Sequence, residues 1–529
     1  MVRDRGLNRP PSWVGLTAAC VPTAVIAAFV LIPAATLVAR TIGAEWSQGA
    51  LDANRTVFVV GVTLTQAALS TILTVLLGLG PGMVIARYHF RGRTSLVSAL
   101  TAVFVMPTVV IAAGVRSVLP APLDSGWTAV IIAHVVFNLA VVARIVGSTP
   151  MPGPLERTAR TLGAGPFEVL RTVTLPLIAP AIAAAGAIVF ALSFTSYGVV
   201  RILGSHTVTT IEVEIWRETV VLGRVDRGTL LALVQVVVLA IVAAAWILLR
   251  RRRRPAPFVG DSSRRAPRWI AAVIAPLVIV MAAPFVTLAI GSVRVANGLS
   301  LSAWKAVLMP DTSQSRASGI DPLRSLMTST RIAVIAGAIA VVLSLLVIVA
   351  VATTTRLGQI AGSIVMVPLA ISAVTIALGI LITYDTAPFD WRASPMIVPL
   401  GHAVIALPFV VRPAIAAIRS VNSHIVDTAL ILGARPLRAR LTAYGPAVTP
   451  VLLTGAGLAM AISLGEFGAT SLLSRSGNET LPIVIDRMLA RTGGDFRARA
   501  HALAVVLAGG VIALTVVLDL ARTKRRHRP

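Results

Sequence analysis

The sequence predicts an all-α, polytopic membrane protein of about twelve transmembrane helices in two homologous six-helix halves. Three observations carry that prediction. The chain is 56% hydrophobic and only 13% charged over 529 residues, with a mean hydropathy of +0.87. Apolar runs of about 20 residues, the length that crosses the hydrocarbon core, recur along its whole length. A stretch from Arg157 to Gly198 returns at Asp427 to Gly468 without a gap, at an offset of 270 residues, with twelve of forty-two pairs identical. A repeat at fixed spacing makes duplication the organising fact of the chain.

In order, the predicted spans of the first half lie at about 13–38, 57–86, 95–118, 127–147, 176–203 and 229–249. Those of the second half lie at about 269–292, 328–352, 359–383, 394–418, 446–473 and 499–521. The first run resembles a signal sequence in place but is too long for an h-region and is followed by more spans, so it is read as a retained helix. This divides the chain into a first transmembrane half at 1–249, a basic linker at 250–268 and a second transmembrane half at 269–529.

The net charge of +26 is almost entirely arginine, Lys305 and Lys524 being the only lysines. The arginines sit between spans: Arg3, Arg5 and Arg9 before the first, Arg87, Arg91 and Arg93 after the second, Arg250 to Arg254 after the sixth, and Arg522 to Arg528 at the end. Positive-inside topology accounts for that distribution, which puts both termini on the cytoplasmic side and makes a nucleic-acid partner unnecessary. The linker, with Pro255, Pro257 and Pro267 among its arginines, reads as a tether against lipid headgroups. Segments 39–56, 204–228, 293–327 and 474–498 fall outside, where an external partner would meet them.

The most polar part of the repeat lies between spans, on the cytoplasmic side. It reads Arg157-Thr158-Ala159-Arg160-Thr161-Leu162-Gly163-Ala164-Gly165-Pro166 in the first half and Asp427-Thr428-Ala429-Leu430-Ile431-Leu432-Gly433-Ala434-Arg435-Pro436 in the second. Glycine there ends one helix in a left-handed cap, and proline three residues on suits the first turn of the next. By composition alone each is a surface elbow joining two helices.

The elbows resemble the Glu-Ala-Ala loop of permease subunits in binding-protein-dependent ABC importers. Asp427, Thr428, Ala429 and Gly433 fall on that motif; in the first half Ala159 and Gly163 match, Arg157 stands where the acid is expected, and Glu156 lies one residue early. Leu175-Pro176 keeps the Leu-Pro that follows in the family, whereas the second half has Gly445-Pro446. The resemblance implies that Glu156, Thr158, Ala159, Leu162, Gly163, Ala164 and Pro166, and Asp427, Thr428, Ala429, Leu432, Gly433, Ala434 and Pro436, form coupling helices. It also implies two copies of a cytosolic ATPase, an extracellular binding protein, and a place in the cell membrane.

Chemistry of the chain's own is not expected. Neither lysine follows a glycine, so there is no P-loop, and ATP hydrolysis falls to a separate subunit. The histidines show no metal-ligand spacing, and Cys20 is the only cysteine, so no metal, cofactor or intramolecular disulfide is implied. His134 and His402, each ten residues before Arg144 or Arg412, read as helix-packing or helix-end residues.

Candidates for the translocation path are Pro107 and Pro368 in the third span of each half, the repeated Ser193 and Ser463, and Glu466. The prolines permit a kink that is either static or a hinge beside the path. Glu466, in Ser463-Leu464-Gly465-Glu466-Phe467-Gly468, is a carboxylate in an apolar run where the first half has Ser196. It reads either as a structural cap near the outer end of its helix or as a group lining the path. Gly-Glu-Phe-Gly followed by Thr480-Leu481-Pro482 in one fused chain resembles thiamine permeases; fused iron(III) permeases share the architecture. The alternatives are a secondary transporter driven by an ion gradient, which needs ionisable residues paired mid-membrane, and a membrane-embedded enzyme, for which no polar cluster is present.

Overall fold

The computed structural model describes residues 13–43, 52–205, 208–251, 264–265, 267–295, 298–309, 321–353, 356–385, 391, 394–422, 424–475, 477–491 and 493–526. Most of the linker read at 250–268 lies outside them; of its later part, Arg264 and Arg265 form a two-residue parallel pairing with Tyr88 and His89.

The first half gives α1 (Trp13–Gly43), α2 (Ala53–Arg87), α3 (Arg93–Phe104), α4 (Thr108–Val118), α5 (Gly126–Gly147), α6 (Gly153–Thr161), α7 (Pro166–Phe194), α8 (Gly198–Leu203), α9 (Ile211–Trp216) and α10 (Val225–Arg251). After the linker come α11 (Ile270–Val293), α12 (Ser302–Leu308), α13 (Pro322–Thr353), α14 (Arg356–Ala370), α15 (Ala373–Tyr384) and α16 (Ile397–Arg419). The chain ends with α17 (His424–Ile431), α18 (Pro436–Gly465), α19 (Gly468–Leu473), α20 (Leu481–Leu489) and α21 (Gly494–Arg526). Among the described residues ten helices are long and apolar enough to cross a membrane, or twelve if two bent pairs each count as one span. Large apolar side chains stay bare along them, such as Ile72, Leu76 and Leu77 on α2 and Ile279 and Val286 on α11. On a chain of this hydropathy, such faces fit contact with lipid.

Several predicted spans differ in detail. The third span of each half is two helices bent by 102°, α3 with α4 and α14 with α15. Pro107 stands at the first break as the N-cap of α4, and Pro368 lies in a single 3₁₀ turn at the end of α14. A proline inside a span removes one backbone bond, and here the chain turns rather than kinks. After the second break Ser372 accepts a hydrogen bond from Thr375 N at 3.0 Å and caps α15. The fifth and eleventh spans likewise stop short, at Phe194 and Gly465, before the short helices α8 and α19.

The chain packs as two compact units, residues 1–45, 310–484 and 509–529 in one, and 46–309 with 485–508 in the other. This is a different division from the sequence repeat, because the first helix of each half joins the unit built mainly from the other. In one unit α2, α5 and α7 interlock through Val142, Val146, Ile178 and Val189, and α11 lies on α4. In the other, α13, α16 and α18 pack through Ala340, Val410, Ala414, Val448 and Leu452, and α1 lies on α13, α14 and α15.

The same close contact seats both crossing helices. A Cβ on Gly114 of α4 would stand 2.6 Å from Pro284 Cβ of α11, and one on Gly379 of α15 would stand 2.8 Å from Pro33 Cβ of α1. Bare glycine backbone thus lets a proline bulge of the neighbour come in, as small residues do at membrane helix interfaces. In the first pair Thr287 Oγ1 also donates to Gly114 O at 3.3 Å. In the second Tyr384 Oη donates to Ala28 O at 2.6 Å, beside a cluster of Phe29, Tyr384 and Trp391 rings. Substituting Gly114 or Gly379 with valine is expected to destabilise the protein by about 1–3 kcal/mol through overpacking. Gly80→Val, where an added Cβ meets nothing within 4 Å, should leave the thermal midpoint in detergent near wild type.

Candidate functional site

Both elbows have one geometry. In the first, Leu162 N bonds to Thr158 O at 3.1 Å, Gly163 N to Arg160 O at 3.0 Å and Ala164 N to Ala159 O at 3.0 Å. In the second, the bonds from Leu432 to Thr428, Gly433 to Leu430 and Ala434 to Ala429 are each 3.0 Å. Gly163 has φ +92° and Gly433 φ +86°. These are the bonds of a Schellman cap, which needs a left-handed residue where glycine stands. An added Cβ at either glycine would meet nothing within 4 Å, so the backbone angle, not space, selects glycine there. Pro166 and Pro436 occupy the first helical turn beyond, after extended Gly165 and Arg435. Thr158 and Thr428 each bond back to the carbonyl four residues earlier.

The second helix of each elbow runs on without a break into a stretch long and apolar enough to cross a membrane, so α7 and α18 are each both elbow and candidate span. In α7 a π turn at Leu170–Thr174 precedes Pro176, whereas α18 takes Pro446 without one. The tips are bare: Leu162 and Leu432, at equivalent positions, are 82% and 81% exposed, with Phe167 and Ile431 beside them. Ala159, Ala164, Ala429 and Ala434 are half-buried, and Arg157, Asp427 and Thr428 are exposed.

Glu156 has a different environment from the rest of the motif. It is buried at 2% exposure, bonded to Arg87 Nη2 and accepting from Thr174 Oγ1 at 2.6 Å. Its equivalent in the second half is Val426, and α17 buries none of its residues.

Ser193 and Ser463 are centres of buried hydrogen bonding. In the first repeat Ser193 O accepts from Gln66 Nε2 at 2.7 Å and its Oγ from Asn138 Nδ2 at 3.3 Å, while Ser70 Oγ meets His134 Nδ1 at 3.4 Å. In the second, His402 alone joins Ser463 Oγ at 2.8 Å and Thr470 Oγ1 at 2.9 Å. Both histidines are buried within their helices, His402 in the second turn of α16. Glu466 follows α18, half-buried, and its Oε1 accepts from Ala469 N at 2.9 Å, capping α19. Pro107 and Pro368 are buried at their bends.

The segment at 204–228, read from sequence as external, contains three buried glutamates, Glu212 and Glu214 on α9 and Glu218 in the π turn that follows it. Arg55 Nε and Nη2 hold both oxygens of Glu214 at 2.9 Å, Arg227 lies 3.7 Å from Glu218, and Gln235 Nε2 donates to Glu212 at 2.5 Å. The acids standing in the apolar run Ile211-Glu212-Val213-Glu214-Ile215-Trp216 were the available signal. An isolated carboxylate is not buried without a partner.

The repeat extends into this region. Ile211 N donates to Thr63 Oγ1 at 3.0 Å, and Leu481 N to Ser329 Oγ at 2.8 Å. Arg201 of α8 then meets both repeats: its guanidinium lies 4.1 Å over the Trp216 ring and 3.3 Å from Asp486, 270 residues after Trp216. Burial pushes the Asp486 carboxyl up while Arg201 opposes that shift. Among the described residues no three His, Cys, Asp or Glu side chains gather as a metal site.

Residues 75–254, which contain the first elbow, match the family described as binding-protein-dependent transport system inner membrane component. The putrescine transport system permease protein PotI of Escherichia coli (strain K12) is 31% identical over 162 residues, 29% of this chain and 58% of PotI. The putative 2-aminoethylphosphonate transport system permease protein PhnU of Salmonella paratyphi A is 29% identical over 154 residues, 29% of this chain and 53% of PhnU. PhnV of Salmonella typhimurium, described in the same terms, is 29% identical over 159 residues, 30% of this chain and 58% of PhnV. The chain spans a little over half the length of these relatives. Its residues 75–254 therefore resemble the inner membrane component of binding-protein-dependent transport systems.

Proposed function

We propose that the chain is the permease subunit of an ATP-driven importer, with both transmembrane halves fused in one polypeptide. The observation that carries this reading is the repeated elbow: two Schellman caps of the same hydrogen bonding, each ending in a bare leucine, one inside the matched permease domain. Two cytosolic ATPase subunits would each grip one elbow, with Leu162 and Leu432 as apolar anchors and Thr158, Ala159 and Ala164 and their equivalents Thr428, Ala429 and Ala434 around them. An extracellular binding protein would deliver solute to the opposite face, and both termini would be cytoplasmic. The bends at Pro107 and Pro368 and the breaks at Ser193 and Ser463 to Glu466 are where spans stop being straight, and so where a path would open. The chain itself performs no covalent step.

The thiamine-like solute implied by the resemblance of Gly-Glu-Phe-Gly and Thr-Leu-Pro rests in part on Glu466, whose carboxylate is engaged in capping α19, and the iron(III) alternative rests on the fused architecture alone. The relatives are named for putrescine and 2-aminoethylphosphonate transport. We therefore favour a small organic solute carrying an amine.

In proteoliposomes, accumulation should require ATP and the cognate ATPase; uptake by this chain alone on an imposed ion gradient would overturn the reading in favour of a secondary transporter. Gly433→Val should abolish uptake while the protein stays in the membrane, and Gly433→Asn, which tolerates the left-handed region, should retain a large share of it. Normal uptake by Gly433→Val would remove the coupling assignment. Exposed Asp427 can present a negative charge to an ATPase groove where Arg157 cannot, so Asp427→Ala should reduce ATPase co-purification more than Arg157→Ala does. Equal losses would remove the acidic contact.

A further inference from the structure

We infer that α2 is a rigid link, clamped at both ends by half-buried arginines on buried glutamates, that carries movement of the first elbow to α9, and that the equivalent described positions of the second half lack these clamps. The inference rests on the elbows being where the ATPases act. Helix α2 runs unbroken from Ala53 to Arg87, so its terminal arginines stand about 48 Å apart at 1.5 Å per residue. At one end Arg87, its last residue, pairs with Glu156 of the elbow helix α6. Thr174, on the π turn of α7, donates to the same Glu156 oxygen at 2.6 Å, and Arg87 Nη2 lies 3.4 Å from Thr174 Oγ1. Three elements thus converge on one carboxylate that is 2% exposed.

At the other end Arg55 grips Glu214 of α9 with two bonds of 2.9 Å, and Glu214 is 1% exposed. Two parallel bonds between a guanidinium and a carboxylate fix orientation as well as distance. Eight residues along, Thr63 Oγ1 accepts from Ile211 N at 3.0 Å, which holds the start of α9 against the same helix.

The second half supplies the control. Its Ser329 makes the bond to Leu481 N that Thr63 makes to Ile211 N, which aligns α13 with α2 at an offset of 266 residues. On that alignment Arg87 becomes Thr353, the last residue of α13, and Arg55 becomes Asp321; Glu156, Thr174 and Glu214 become Val426, Tyr444 and Val484 at the offset of 270. The neutral hydrogen bond is duplicated and both charge clamps are not. The elbow at α17, which buries no residue, lacks the anchorage that α6 has. Glu156 is therefore a positioning residue that ties the elbow to α2, and its side chain faces away from an ATPase docked on the tip.

Hydrogen exchange on the intact chain in nanodiscs tests the link directly. Breaking the elbow end with Glu156→Gln or Arg87→Gln should raise amide exchange at 211–221 as well as at 153–161. The double variant Arg87→Glu with Glu156→Arg should bring both back toward wild type. A local structural role would raise exchange at 153–161 only, and that result would overturn the proposal whatever drives transport. In the reconstituted complex with its ATPase and binding protein, Glu156→Gln and Glu214→Gln should each lower solute moved per ATP about tenfold, with the ATPase still co-purifying. Loss of ATPase co-purification with Glu156→Gln would make Glu156 a docking contact and overturn the link. Wild-type protein that shows no ATP-driven uptake would instead remove the functional reading, leaving the exchange measurement to decide the mechanical one.

Discussion

Every backbone N–H and C=O of this chain that lies in an apolar layer has to find a partner within the protein, and that requirement shapes the rest of the structure. Where the chain is helical the requirement meets itself. Where helices stop, something must take over, and the stops are where the polar side chains are found. Ser372 caps α15 after the bend at Pro368, Glu466 caps α19, and Thr63 and Ser329 receive the first amides of α9 and α20. At the elbows, between the spans, the backbone supplies its own cap through Gly163 and Gly433. Glu466, a carboxylate in an apolar run, is thus explained by the helix start it satisfies.

The two halves solve the same packing problem by the same contact. The first helix of each half leaves its own sequence neighbours and seats a proline against a glycine, Pro284 on Gly114 and Pro33 on Gly379. Duplication kept this contact and the elbow geometry, which depend on backbone shape. It did not keep the charges around them. The first half places Glu156, Glu212, Glu214 and Glu218 in buried positions with arginine or amide partners, and the second has Val426 and Val484 at two of those places. A buried acid is stable only with its partner present, so both members of a pair must be gained or lost together. Once that happens the halves diverge in their buried charges while keeping the same elbow geometry.

The sequence by itself determined the helical class, the repeat and the elbows. Hydrophobic length, Gly-to-Pro spacing and a fixed offset are local or additive signals, and the Schellman bonds at Gly163 and Gly433 follow from residues within six positions of each other. The short helices α8, α9 and α19, the size of the bends at Pro107 and Pro368, 102° each, and the crossing of α1 and α11 were not legible, since hydropathy measures how apolar a run is and not how far it turns. Glu156 shows the limit most plainly. In sequence it is an acid one residue out of register with a surface motif; only the arrival of Arg87 and Thr174, 69 and 18 residues away, makes it a buried anchor. The tertiary structure decided its role because desolvation of a charge depends on partners that no local pattern brings together.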